Sequence, residues 1–157
     1  DSAGGNFSAV VAQQLRDTGT TLAAQLLIYP SVDHGLAHYP SYDENATGYF
    51  LETATMAWFY KHYAGAVDNP LDPRLAPLLH ADLSQLPPAV VVTAEFDPLR
   101  DCGAAYAQAL QAAGVQAEHI EGPGMIHGFF DMGRWSPGAQ AIVQRAIGRF
   151  GEVLRGG

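Results

Sequence analysis

Three side chains in this sequence could act together on an acyl group: Ser2, Asp97 and His127. Ser2 stands in Asp1-Ser2-Ala3-Gly4-Gly5. In a G-x-S-x-G turn the serine is thrust out between a strand and a helix, and small neighbours are needed because backbones crowd there. Gly4 supplies the second glycine, while the first would lie ahead of residue 1. The stretch just downstream is the helix that such a turn requires. Its N-terminus would aim free N–H groups and a positive dipole end at the reacting centre, which makes the Ala3 backbone N–H a natural oxyanion donor. A serine beside glycines is also an ordinary loop residue, so this fragment decides nothing alone. Asp97, in Glu95-Phe96-Asp97-Pro98-Leu99-Arg100-Asp101, follows an apolar run ending at Ala94. Carboxyl ends of parallel strands are where ligands and catalytic groups gather; the competing reading is an Asx-Pro turn that opens the next helix. Asp101 reads as a helix cap. His127, in Gly124-Met125-Ile126-His127-Gly128-Phe129-Phe130, lies on a glycine-flanked loop after the last strand candidate.

Together the three say more than any one. Their chain order is Ser, Asp, His, each after a strand or at its turn, as an α/β-hydrolase arrangement demands. The chemistry would be acyl transfer. His127 would take the Ser2 proton, and Asp97 would fix the imidazole tautomer and stabilise its charged form. The developing alkoxide needs at least two donors. Ala3 gives one, and the other must come from sequence outside these residues, so the isolated segment is expected to be inactive. The remaining histidines, His34, His38, His62, His80 and His119, pair with no carboxylate at metal-ligand spacing, and no metal site is expected. Cys102 is the sole cysteine; it excludes an internal disulfide and a Cys-rich zinc site and reads as a small helix residue beneath a sheet.

The elements that must position these groups follow from periodicity. A helix is predicted from about Asn6 to Asp17, with Gly19 as its stop. Leu26-Leu27-Ile28-Tyr29, ended by Pro30, reads as a buried strand. Residues 31–50 read as a long connection, of the kind that is often functional, and Thr53 to Tyr63 as a helix with Met56, Phe59 and Tyr60 on one stripe. Asp68 to Pro88 is irregular. Ala89 to Ala94 is the clearest strand, followed by a helix from about Asp101 to Ala113, with Gly114 as its C-cap, and a strand from Val115 to Ile120. The last helix takes Ser136 as N-cap and Pro137 as its first residue. Ala139, Ile142, Val143, Ala146, Ile147, Phe150, Val153 and Leu154 then recur at the spacing of one buried face. Strands alternating with helices imply an α/β fold with a parallel sheet covered on both faces. So few strands suggest the second half of a larger sheet.

The chain has 157 residues, with 48% apolar and 15% charged, enough for one domain with a hydrophobic core. Its net charge of -8, with 8 Lys and Arg against 16 Asp and Glu, leaves no basic patch for nucleic acid or an anionic membrane surface. No apolar run is long enough to span a bilayer. The partner expected is a neutral small molecule. The start resembles an interior cut more than a natural N-terminus or signal peptide; location stays open, with the cytoplasm favoured.

Asp1-Ser2-Ala3-Gly4-Gly5-Asn6, Leu26-Leu27-Ile28-Tyr29-Pro30, Leu86-Pro87-Pro88-Ala89, Asp97-Pro98-Leu99-Arg100-Asp101 and His127-Gly128-Phe129 together resemble the hormone-sensitive lipase family of bacterial esterases, over nearly the whole chain. The resemblance implies hydrolysis of short- to medium-chain carboxylic esters without a cofactor, with Ser2 as nucleophile, Asp97 as acid and His127 as base. It leaves Asp101 a neighbour without an assigned role. It implies that a His-Gly-Gly oxyanion loop and an N-terminal cap lie upstream, in a missing N-terminal half, and that the passage near 40–63 adds to the cap. It further implies a homodimer through the last strand, around Val115 to Glu121. Phe129, Phe130, Met125 and Met132 are candidates for an acyl pocket or for core, and Trp58, Phe59 and Tyr60 for facing substrate. The rival readings are a hydrolase-like receptor or fragment that has lost turnover, and an amidase or lactonase of the same fold.

Overall fold

A computed structural model describes residues 1–33, 38–65, 69 and 71–156. His34 and Asp68, named above, lie outside the described residues. The elements run α1 (Ser2–Asp17), β1 (Gln25–Ile28), α2 (Pro40–Glu44), α3 (Thr53–Ala64), a 3₁₀ turn (Pro77–Leu79), β2 (Ala89–Phe96), α4 (Arg100–Ala112), β3 (Ala117–Ile126), a second 3₁₀ turn (Phe129–Met132) and α5 (Pro137–Leu154).

The three strands form one parallel sheet in the order β1-β2-β3. The expected α/β class is therefore borne out. β2 lies at the centre, and Ala89 to Ala94 are all buried, which is why that run carries no charge. Its side chains alternate between two cores. Ala89 and Val91 join Ala9 and Ala12 of α1 and Cys102, Tyr106, Ala107 and Leu110 of α4 on one face. Val90, Val92 and Ala94 join Ile120, Phe129 and the α5 residues Ala139 and Ala146 on the other.

Several boundaries differ from the expectation, each for a physical reason. α1 begins at Ser2, not near Asn6. Its glycines look like loop residues in sequence, but Gly5 is helical and must be small: a Cβ there would lie 2.8 Å from the Pro30 Cβ. This helix also buries polar groups. Asn6 Nδ2 donates to Ser31 O and Leu75 O, both at 2.8 Å, and Gln13 Nε2 donates to Pro77 O at 2.8 Å. Backbone carbonyls of the irregular passages are satisfied in this way. β3 starts later and runs further than expected, through Gly122-Pro123-Gly124 to Ile126. Its register against β2 shifts between Ala94 and Phe96, so the strand bulges and still delivers residue 127 beside the end of β2.

The last helix has its expected start, with the Ser136 hydroxyl accepting from the Ala139 N–H at 3.2 Å. Its buried face is narrower than predicted, because Ile147 and Leu154 are 55% and 49% exposed. Gly114 follows α4 at φ +80°, one residue beyond the cap Ala113. Asp101 is not the cap. Leu99 holds that position, and Asp101 is the second residue of α4, where its carboxylate accepts from the Ser41 N–H at 2.9 Å.

Candidate active site

Ser2 opens α1 at φ +49°, in the left-handed region. A non-glycine residue there is strained by about 1–3 kcal/mol and persists only where its surroundings determine it. Asp97 follows directly on β2 and is fully buried. Its Oδ1 accepts from the Leu99 N–H at 2.9 Å, which is the Asx-Pro turn of the competing reading. The other oxygen, Oδ2, lies 2.7 Å from His127 Nδ1. Turn and site are thus built from one carboxylate. His127 follows β3 and precedes Gly128, whose φ of +83° turns the chain into the second 3₁₀ turn. Its Nε2 lies 3.0 Å from Ser2 Oγ. A single imidazole, 7% exposed, therefore bridges the carboxylate and the hydroxyl.

Ser2, Ala3 and His127 border a cavity of about 970 Å³. Helix geometry leaves the first backbone N–H groups of α1, Ala3's included, without intrahelical acceptors. The cavity walls are mostly apolar, formed by Phe7 of α1, by Phe50 and Leu51, and by Met56, Phe59 and Tyr60 of α3. No residue of α3 is buried in the protein core; its predicted apolar stripe faces this space instead.

Residues 1–131 match the family described as alpha/beta hydrolase fold. The chain belongs to the alpha/beta hydrolase family. Carboxylesterase NlhH of Mycobacterium tuberculosis is 43% identical over 159 residues, covering 98% of this chain and 49% of that protein. Ethyl acetate hydrolase of Pseudomonas putida is 41% identical over 135 residues, covering 85% of this chain and 42% of its own length. Among solved structures, an ester hydrolase from the metagenome of Lake Arreo, complexed with a derivative of bipyridine phosphonate, aligns with a TM-score of 0.85. The two are 46% identical, over 96% of this chain and 49% of the other. The chain spans about half the length of the relatives it matches. The resemblance to bacterial esterases of the hormone-sensitive lipase kind, read from the sequence motifs, is borne out at this level.

Around this candidate site, the other residues singled out in the sequence sort by contact. Asp101 does not touch Ser2 or His127; it ties α4 to Ser41 of α2 and pairs with Arg100 Nε at 2.7 Å. Burial raises its pKa, but the hydrogen bonds from Arg100 and Ser41 outweigh this and hold it below the usual carboxylate range. Cys102 is fully buried, and desolvation pushes its thiol well above the usual range, as expected of an inert core residue. Phe129 is buried in the core, and Met125, Phe130 and Met132 are half-buried against it on the α5 side of the sheet; none of the four lines the cavity beside Ser2. Phe59 and Tyr60 line the cavity; Trp58 does not, and packs on Phe59 and His62. Among the described residues, no group of His, Cys, Asp or Glu could hold a metal ion, and no helix is long and apolar enough to cross a membrane.

Sequence reasoning missed three supporting groups. Asn45 Nδ2 donates to the Asp97 backbone oxygen at 3.3 Å. Glu95 accepts from the Gly124 N–H at 2.6 Å and so pins the bulge that precedes His127. Tyr29, just past β1, lays its ring 4.5 Å from the His127 ring. Only Tyr29 carried a signal, the aromatic-proline pair at a strand end.

Proposed function

We propose that Ser2, His127 and Asp97 are the nucleophile, base and acid of a carboxylic ester hydrolase, with the Ala3 N–H as one oxyanion donor. The observation that carries this reading is the double contact of one imidazole, 3.0 Å to Ser2 Oγ and 2.7 Å to Asp97 Oδ2. With Nδ1–H donated to Asp97, Nε2 is free to accept the Ser2 proton as Oγ attacks the ester carbonyl. The tetrahedral oxyanion takes the Ala3 N–H, and its collapse releases the alcohol, protonated by His127. Water then enters by the same route, His127 again acting as base, and frees the acid from the acyl-enzyme.

The second oxyanion donor comes from outside these residues, so turnover belongs to the protein that carries this chain and the isolated segment is inactive. The substrates are short- to medium-chain acyl esters. Apolar walls and a net charge of -8 suit a neutral substrate and disfavour an anionic one. Residues 40–63 serve as part of the cap, since α3 presents Met56, Phe59 and Tyr60 to the cavity. A second copy of the chain pairs along the outer edge of β3, which sedimentation of the purified protein measures.

The decisive experiment treats the protein that carries this chain with a fluorophosphonate and locates the adduct by mass spectrometry. The expected adduct is on Ser2 and is lost in Ser2→Ala. A protein that binds the ester but never forms the adduct is a silent receptor instead. Rates on butyrate esters, long-chain esters, lactones and aryl amides separate the esterase from a lactonase or amidase.

A further inference from the structure

The imidazole of His127 is held at both nitrogens, but hydrogen bonds at Nδ1 and Nε2 leave it free to tilt about the line joining them. A third contact closes that freedom. The Tyr29 ring lies 4.5 Å from the imidazole, centroid to centroid, at an interplanar angle of 53°. Tyr29 is itself locked: it is 1% exposed, and it stacks edge-on against Phe129 and Phe130 at 5.8 and 6.1 Å. Its N–H donates to Val92 O at 2.6 Å. Its φ of +35° is one an aromatic residue rarely adopts. Backbone strain of this kind is retained where surrounding contacts over-determine it, and it clusters at functional sites.

The two residues that follow reach the other parts of the site. Pro30 abuts Gly5 of α1, where a Cβ would lie 2.8 Å from its own Cβ, and Gly103 of α4, where a Cβ would lie 3.6 Å from its Cδ. Ser31 donates its N–H to the backbone oxygen of Ser2 at 3.3 Å. One short segment at the end of β1 therefore touches the imidazole, the helix that presents the serine and the helix that follows the aspartate.

We infer that Tyr29 is a positioning residue for His127, its ring fixing the tilt of the imidazole, and that Tyr29-Pro30-Ser31 registers the three parts of the site against one another. This rests on the proposed roles of Ser2, Asp97 and His127. The inference concerns the ring and not the hydroxyl, because it is the ring that meets the imidazole.

The test compares Tyr29→Phe, Tyr29→Leu and Tyr29→Gly in the protein that carries this chain. Glycine is included because it adopts a positive φ without strain, which favours a folded variant. Each protein is checked by near-ultraviolet circular dichroism, then assayed for kcat and KM on p-nitrophenyl butyrate and for Ser2 labelling by a fluorophosphonate. A misplacement of about 1 Å in a catalytic group costs about 100-fold. The Leu and Gly variants are therefore expected to lose about 10- to 100-fold in kcat, with KM little changed, while Phe keeps the wild-type rate. The acidic limb of the pH–rate profile moves in Leu and Gly and stays in place in Phe. Equal rates in all four proteins overturn the inference. So does a loss in Phe matching that in Leu, or failure of both Leu and Gly to fold while Phe folds, which assigns the ring to the core alone. Absence of wild-type labelling at Ser2 would instead remove the esterase reading beneath it.

Discussion

Replacing Asp97 by Asn tests the geometry more sharply than removing the side chain does. The two carboxylate oxygens have different duties: Oδ1 accepts from the Leu99 N–H at 2.9 Å, and Oδ2 faces His127 Nδ1 at 2.7 Å. An asparagine that keeps its oxygen on Leu99 must turn its NH₂ toward Nδ1. The imidazole then accepts at Nδ1 and carries its proton on Nε2, where it donates to Ser2 Oγ and cannot take a proton from it. Flipping the amide restores the working tautomer but leaves the buried Leu99 N–H facing a donor, a cost of about 1–3 kcal/mol. The lost negative charge beside the imidazolium adds up to about 4 kcal/mol at the effective dielectric of a protein site. The sum, at most about 5–7 kcal/mol, corresponds to a fall in kcat of up to about 10⁴–10⁵, in line with the tautomer effect known for such triads. Steady-state hydrolysis of p-nitrophenyl butyrate measures it, with circular dichroism as the folding control. A folded variant within about tenfold of wild type would refute both the tautomer argument and the role given to Asp97.

Gly5→Ala puts a Cβ 2.8 Å from Pro30 Cβ and 3.1 Å from Pro30 Cα, on a ring that cannot yield. Overpacking of about 1–3 kcal/mol outweighs a helix-propensity gain of about 1 kcal/mol at most, so the urea midpoint falls; an unchanged or higher midpoint contradicts the close approach. Cys102, fully buried with its thiol pushed up by desolvation, reacts with iodoacetamide only as fast as the protein unfolds; rapid labelling of the native protein contradicts its placement. Burial lowers the His119 pKa, and the nearby Glu121 only partly opposes this. A depressed histidine contributes stability above its unfolded pKa of about 6.5 that is lost as pH falls through the folded value. Wild type is thus expected to lose more stability than His119→Gln as pH falls from about 7 to about 5, read from urea midpoints; parallel losses count against it.

The sequence made the site legible because each of its chemical groups sits at a strand end or a helix start with a local signature. The central strand announced itself through an uncharged β-branched run, and α5 through Ser136 and Pro137. The features that escaped depend on contacts between distant segments. α2 has five residues, too few to form by propensity alone; it is held by Ser41, whose Oγ donates to Pro98 O at 2.7 Å and whose N–H meets Asp101. β3 hid its second half behind Gly122, Pro123 and Gly124, which read as a stop in sequence yet fit a bulged strand that pairs, among the described residues, with β2 alone. The early start of α1 was masked by Gly4 and Gly5, and the smallness of Gly5 answers to Pro30, a residue no local window contains.

The hydrogen-bonded pair Ser2 and His127 is separated by 125 positions along the chain, whereas His127 and Asp97 are 30 apart. Contacts of such long range cannot form until intervening strands have found their register, and they make assembly slow compared with helix formation. On the proposed reading, a serine that depends on such a contact for its activation gains it only once the sheet is assembled. Labelling at Ser2 then serves as a clock for completed assembly: covalent trapping during refolding should lag behind the return of helical signal.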